Sequence, residues 1–412
     1  MPSNWIDDVL EECSHVETPR SWLWWSLCTA ISASAGSNYF LKTLKGAVVF
    51  KPNLYVILLG DSGLGKEFPI QLAIELVTRA NVTRVISGRS SIQAIVKELA
   101  TARTREGRAP MLDSRGFIVN GEISTAIIQD PDSLTILTDL YDNKSTWTNL
   151  LKGDGKEVLK NPCITTLFGS SPAHFYDSVP QVNIEGGYVG RNLIAYEEKR
   201  AKDTDLLDDS EGSDVTWELY SKFVPHLEKI NGSSGRIIPD NESKVTFNDW
   251  RRKWRQNQPK DTTGFVNRVP GHILKVAMCL CLSRYDSGLV INPLDIEEAI
   301  ERVTALVYSN KRATEGKSSI DPLAIVLKKI LDLLIEAPEH LLKRKIILNR
   351  MYTLGIADMI VVDKALDNLM ENGWLNRERF VAGSATDWVY RLTGQPLEQY
   401  KKFIAGLAGR VK

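Results

Sequence analysis

The stretch Gly60-Asp61-Ser62-Gly63-Leu64-Gly65-Lys66 has the residue types and spacing to hold a polyphosphate. Glycines let successive backbone N–H groups turn inward around phosphate oxygens, and a helix N-terminus directly behind them adds its dipole. A Lys closing the G-x-x-x-x-G-K pattern reaches the β- and γ-phosphates, which is the role expected of Lys66. The next position normally offers a hydroxyl to Mg²⁺, and here it is Glu67. Two readings follow. Either Glu67 ligates Mg²⁺ with an altered geometry, or its added negative charge leaves a site that binds nucleotide weakly and hydrolyses it slowly. The expected ligands are ATP and Mg²⁺, cradled by Gly60 to Glu67.

Further groups are placed to complete a hydrolytic site. Phe117-Ile118-Val119-Asn120-Gly121-Glu122 reads as a hydrophobic strand ending in an acid, with Glu122 positioned to orient an attacking water. The Asp that usually precedes such a Glu is replaced by Gly121, or by Asn120 if the match shifts by one. Glu67 restoring that carboxylate would couple the two departures. An acid here also suits an ordinary helix start. Gly169-Ser170-Ser171-Pro172 ends another strand, where Ser170, or Ser171 beside it, can hold the lytic water or simply begin a loop. Glu185-Gly186-Gly187-Tyr188-Val189-Gly190-Arg191 presents Arg191 from a glycine loop, as a finger onto a neighbouring subunit's nucleotide or as a surface Arg.

The elements that must position these residues are legible as apolar runs. Leu54 to Leu59, Gly116 to Val119, Ile164 to Phe168 and Leu193 to Tyr196 suit strands of a parallel sheet buried on both faces, with helical segments between them. Residues 1–50 read as an N-terminal helical segment, 51–200 as an α/β ATPase core, 201–315 as a helical lid, 320–395 as a small separate domain and 396–412 as a basic tail. An acidic loop (Asp203 to Asp214) and a linker (Gly316 to Pro322) separate the parts. In the small domain, a helix from Leu323 to Ile335, another near Lys345 to Met351 and a third from Ala357 to Glu371 precede a stop at Asn372-Gly373. Strands at Phe380 to Ala385 and Trp388 to Leu392 then complete a hairpin. Three helices and such a wing resemble a winged-helix domain.

Composition narrows the class. Lys plus Arg and Asp plus Glu both number 51 in 412 residues, so any nucleic-acid surface must be local. The five cysteines lack C-x-x-C spacing and read as buried apolar residues of a reducing compartment. The five His show no pair at metal-ligand spacing. The start shows no signal peptide, and the apolar stretch Ser21 to Ala35 is too short to span a bilayer, so a buried helix, a cytoplasmic location and no membrane partner are expected.

The order of these features, ending in a helical lid, resembles the AAA+ P-loop ATPase core. Pro52-Asn53-Leu54-Tyr55, Gly63-Leu64-Gly65-Lys66, Asn161-Pro162 and Gly186-Gly187-Tyr188-Val189-Gly190-Arg191 are similar to a family of phage, plasmid and mobile-element ATPases of primase-associated or helicase-like character. The resemblance covers roughly Trp22 to Asp286. Lys152-Gly153-Asp154-Gly155-Lys156 is a turn between strand-like arms, just before the strand that ends at Ser170. A hairpin at that place resembles the one shared by superfamily 3 viral helicases and minichromosome maintenance helicases. The resemblance makes Lys152 and Lys156 candidate DNA contacts, against a plain solvated hairpin tip. Asn267-Arg268-Val269-Pro270-Gly271-His272 resembles the helix bearing a second sensor, with Arg268 directed to the γ-phosphate. The basic segment Trp250 to Arg255 reads instead as a core face of Trp250 and Trp254 with charges outside.

The function these features imply is an ATP-dependent DNA-translocating motor, a replicative helicase of a phage or mobile element. It would work as a homo-oligomeric ring, expected to be a hexamer, with single-stranded DNA in its channel and a primase or other replication proteins as partners. The third helix of the small domain is acidic. Duplex contacts there would fall to the wing (Arg377, Arg379) or the tail (Lys401, Lys402, Arg410, Lys412), or the domain binds protein. The alternative is a nucleotide-switched helicase loader or origin-binding protein with little ATP turnover. A nuclease or primase centre has no carboxylate cluster or zinc ligands to rest on.

Overall fold

The computed structural model describes residues 4–88, 90–103, 111–112, 114–123, 133–150, 156–179, 187–204, 215–286, 288–318, 322–353, 359–382 and 385–393. The chain divides into two compact units, Met1–Thr314 and Glu315–Lys412. The N-terminal segment, the sheet and the lid, read separately in the sequence, share the first unit.

Its centre is a mixed α/β arrangement around five parallel strands: β1 Tyr55–Leu59, β2 Arg84–Ser87, β3 Arg115–Asn120, β4 Cys163–Ser170 and β5 Leu193–Tyr196. Their order across the sheet is β5-β1-β4-β3-β2. Tyr55 pairs with Thr166 and Leu59 with Ser170, so β1 and β4 end level with each other. Alternation along β1 sends Val56 and Leu58 into one hydrophobic cluster and Tyr55, Ile57 and Leu59 into the other. Both faces are therefore covered, which is why such strands read as unbroken apolar runs. Four of the five strands fall where the apolar runs lie. The exception is β2, whose Val85-Ile86 core between Arg84 and Ser87 is too short to register as a run.

The helix Arg20–Ala35 is buried from Trp22 through Ala35, with Trp22 donating its indole N–H to the Ala195 carbonyl at 2.9 Å. One described helix, Phe265–Ser283, is long and apolar enough to cross a membrane, and most of it is buried inside the fold. All five cysteines are buried and unbridged. The helix Pro293–Ser318 runs through Gly316, so the expected linker is helical at its start. A glycine inside a helix costs only about 1 kcal/mol, which a long helix absorbs. Residues 205–214, most of the acidic loop, lie outside the described residues.

The second unit packs the helices Pro322–Glu336, Arg344–Thr353 and Met359–Glu371 around a core that includes Ile330, Leu334, Ile347, Met351 and Leu366. A three-stranded antiparallel sheet of Leu341–Lys343, Ala385–Leu392 and Leu375–Ala382 joins them. Gly373 at φ +72° ends the third helix, and the Trp374 N–H turns back to the Leu369 carbonyl at 2.8 Å. The hairpin arms are longer than expected. Ala382 pairs with Ala385, so Ala385 belongs to the second arm. The strand Leu341–Lys343 had no separate sequence signal. The tail 396–412 lies outside the described residues.

Candidate functional site

β1 delivers the chain to the glycine loop at the carboxyl edge of the sheet, and the helix Glu67–Arg79 leaves it. Gly63 and Gly65 both stand at φ +86°, a region that a side chain makes costly. Gly60 is required for a different reason. A Cβ there would lie 2.5 Å from the Glu197 carbonyl and 2.7 Å from the Trp22 ring. A Cβ at Gly63 would meet nothing within 4 Å, so the loop is open at that position, whereas one at Gly65 would lie 2.9 Å from the Thr18 hydroxyl. Lys66 folds back onto the loop, donating to the Gly60 carbonyl at 2.6 Å and the Asp61 carbonyl at 2.8 Å. Partial burial lowers its pKa, and the charges of Glu122, Asp61 and Glu67 oppose that shift. Glu67 is exposed at the first helical position. The loop is held from outside by Thr18, whose hydroxyl donates to the Gly65 carbonyl at 3.0 Å, and by Arg200, which donates to the Gly63 carbonyl at 3.0 Å.

Glu122 and Ser170 meet across the neighbouring strand ends. The Ser170 hydroxyl donates to Glu122 Oε1 at 2.9 Å, and His174 Nδ1 lies 3.3 Å from Glu122 Oε2. Ser171 has another task, accepting the His174 N–H at 3.3 Å as cap of the helix Pro172–Ser178. Of the two serines, Ser170 is therefore the one directed at the acid. Asn120 accepts the Glu122 N–H at 3.0 Å and donates to the Gly88 carbonyl at 3.0 Å, which fixes the turn that carries Glu122. The structure thus brings Lys66, Glu122 and Ser170 to one edge.

It does not bring Arg191 and Arg268 there. Arg191 precedes the N-terminus of β5, and a strand of four residues spans about 13 Å. Arg191 donates to both carboxylate oxygens of Asp142, at 3.3 and 3.0 Å through Nη2, and to the Gly187 carbonyl at 3.1 Å. Arg268 donates to the Gly264 carbonyl at 2.9 Å. A Cβ on Gly187, which sits at φ +91°, would come within 3.1 Å of Arg191 and 3.2 Å of Arg268, so the two guanidinium groups flank the same glycine. Arg268 has its pKa lowered, first by burial and then by the charge of Arg191.

Behind them His272 is buried. Its Nε2 lies 3.1 Å from the Gly190 carbonyl and its Nδ1 lies 3.1 Å from the Tyr141 hydroxyl. A carbonyl only accepts, so Nε2 carries the proton and Nδ1 accepts from Tyr141. Burial pushes its pKa down to about 3.

The expected hairpin is present. Its arms Thr146–Leu150 and Lys156–Lys160 pair antiparallel from Thr146↔Lys160 to Leu150↔Lys156. Lys156 is exposed where its arm leaves the tip, whereas Lys152 lies outside the described residues. Thr18, Asp142, His174 and Arg200 had no sequence signal, because none belongs to a local motif, and His272 and Lys275 fall on the helix singled out for Arg268 without being assigned a role. Compared with known families and curated proteins, the chain matches no family model and no curated protein.

Proposed function

We propose that the chain is an ATP-dependent motor of the AAA+ P-loop class that moves along DNA, as a replicative helicase of a phage or mobile element would. The observation that carries this reading is the Ser170–Glu122 hydrogen bond at the same carboxyl edge as Lys66, near enough for the Glu122 charge to act on the Lys66 ammonium. The two positive-φ glycines of the loop suit phosphate oxygens, and Glu67, exposed at the first helical position, would be the protein's contribution to a Mg²⁺ arriving with the nucleotide, since among the described residues no group of three His, Cys, Asp or Glu is placed to hold a metal by itself. Mg²⁺ would neutralise charge between the β- and γ-phosphates when ATP is bound. Glu122 would orient the attacking water, Ser170 would hold both, and Lys66 would exchange its loop carbonyls for phosphate oxygens.

The strand order supports the class, since β4 lies between the loop strand β1 and the acid strand β3 and places the Ser170 hydroxyl between their ends. Arg191 and Arg268, at the opposite edge, suit a neighbouring subunit's nucleotide and hence a ring. The hairpin ending at Lys156 suits a channel contact with single-stranded DNA. The second unit supports a winged-helix reading, with Arg377 and Arg379 over the Trp388 ring at 4.3 and 5.9 Å.

ATP turnover by the full chain, with and without single-stranded DNA, tests the reading. DNA-stimulated hydrolysis that disappears in Lys66→Ala is the expected result. A second reading, a nucleotide-switched loader, is favoured by Glu67 at the hydroxyl position. ATP binding without turnover selects it.

A further inference from the structure

Away from the glycine loop, a cavity of about 950 Å³ is lined by the helices Asn241–Gln256 and Phe265–Ser283 and by the strand Tyr39–Thr43. Its wall is cationic. Lys244, Arg251 and Arg255 face it at the i, i+7, i+11 spacing of one helical side. Trp250 and Trp254 of the same helix stack at 5.5 Å and pack against the hydrophobic core instead. Lys42, Arg268 and Lys275 add three more cations. Among the described lining residues Asp142 is the one carboxylate, and it is already paired with Arg191.

Lys275 is an independent sign of a missing anion. It is 5% exposed, its Nζ bonds Asn53 Oδ1 at 2.8 Å, and it lies 3.6 Å from the centre of the Tyr141 ring. An ammonium carries three donors, and among the described residues no carboxylate hydrogen-bonds this one, although the charge of Asp142 acts on it from a distance. Burial pushes its pKa down to about 7. Burial of this kind is relieved either by loss of the proton or by an anion beside the ammonium, and a phosphate bound in the cavity would supply the second. The cavity has the volume of a small-molecule site, and Phe50 and Phe247 offer apolar surface beside the charges.

We propose that this cavity binds a small organic phosphate of mononucleotide size, its phosphate on Lys275 and the surrounding cations and its ring against Phe50 and Phe247. The site is separate from the glycine loop and does not depend on ATP turnover there.

Calorimetric titration of the full chain carrying Lys66→Ala, with AMP and with inorganic pyrophosphate as probes, reads this cavity apart from the loop. One AMP is expected to bind per chain, and the wild type is expected to show the same component. Lys275→Met, which keeps the volume and removes the charge, should weaken it about tenfold or more. The double variant Lys244→Ala/Arg251→Ala should do the same, from the solvent side and without touching the core. AMP binding indifferent to both variants would overturn the proposal, as would no AMP binding at millimolar concentration. Binding of pyrophosphate alone would overturn the mononucleotide assignment. Binding of a single-stranded oligonucleotide alone would overturn it in favour of a nucleic-acid backbone.

Discussion

At the carboxyl edge of the sheet, Glu122 and His174 are partly open to solvent, with side chains 30% and 59% exposed, and the glycine loop beside them is open at Gly63. At the amino edge, Arg191 is 12% exposed in its side chain, and Lys275 and His272 are buried at 5% and 1%. The first edge gathers carboxylates around one Lys; the second gathers cations around one Asp. In a single chain, groups so separated cannot act on the same bound molecule. The proposed ring resolves the separation, because one subunit's amino edge can meet another's carboxyl edge. The buried edge then has a reason to be stiff, since a finger that acts across an interface must be held by its own subunit.

The largest expected effect tests that division. Arg191→Ala should lower ATP turnover about 10³-fold while leaving ATP binding intact. Mixing these chains with Lys66→Ala chains, which retain Arg191, should restore part of the hydrolysis in a turnover assay. No restoration would break the assignment of the two edges to different subunits. Glu122→Gln should lower turnover about 10²-fold or more with ATP binding retained, measured by equilibrium binding beside single-turnover hydrolysis.

The amino edge should be the more sensitive to acid. His272 has a folded-state pKa of about 3 against an ordinary 6.5, so the unfolded chain takes up the proton first. Its contribution to stability is full above about pH 6.5 and falls by about 1.4 kcal/mol per pH unit on the way down toward 3. His272→Gln should flatten that slope in thermal unfolding followed from about pH 7 to pH 4. The smallest effect is expected at His174. An exposed contact of this kind is worth about 1 kcal/mol at most, so His174→Ala should change turnover by about fivefold or less.

The same contrast explains what was legible in the sequence. The carboxyl edge rests on local patterns: a glycine loop after an apolar run, and an acid or serine at the end of another. Such patterns survive in one dimension: Ser170 ends β4, Glu122 follows the end of β3, and Lys66 closes the glycine loop that follows β1. The amino edge is assembled from distant segments. Tyr141 meets His272 across 131 positions and Lys275 meets Asn53 across 222, and no local spacing encodes either contact. β2 was hidden for a different reason, since a four-residue edge strand with Arg84 at its start carries too little apolar pattern. Arg191 and Arg268 were singled out separately, and only the packing of Gly187 between them shows that they form one cluster.

ATP hydrolysis by the full chain, followed with and without single-stranded DNA alongside the mass of the assembly in ATP, tests the central claim most directly. The proposed function predicts turnover that rises with DNA, a multi-subunit assembly, and loss of activity in Lys66→Ala. A chain that neither binds nor hydrolyses ATP, and stays monomeric throughout, would contradict it.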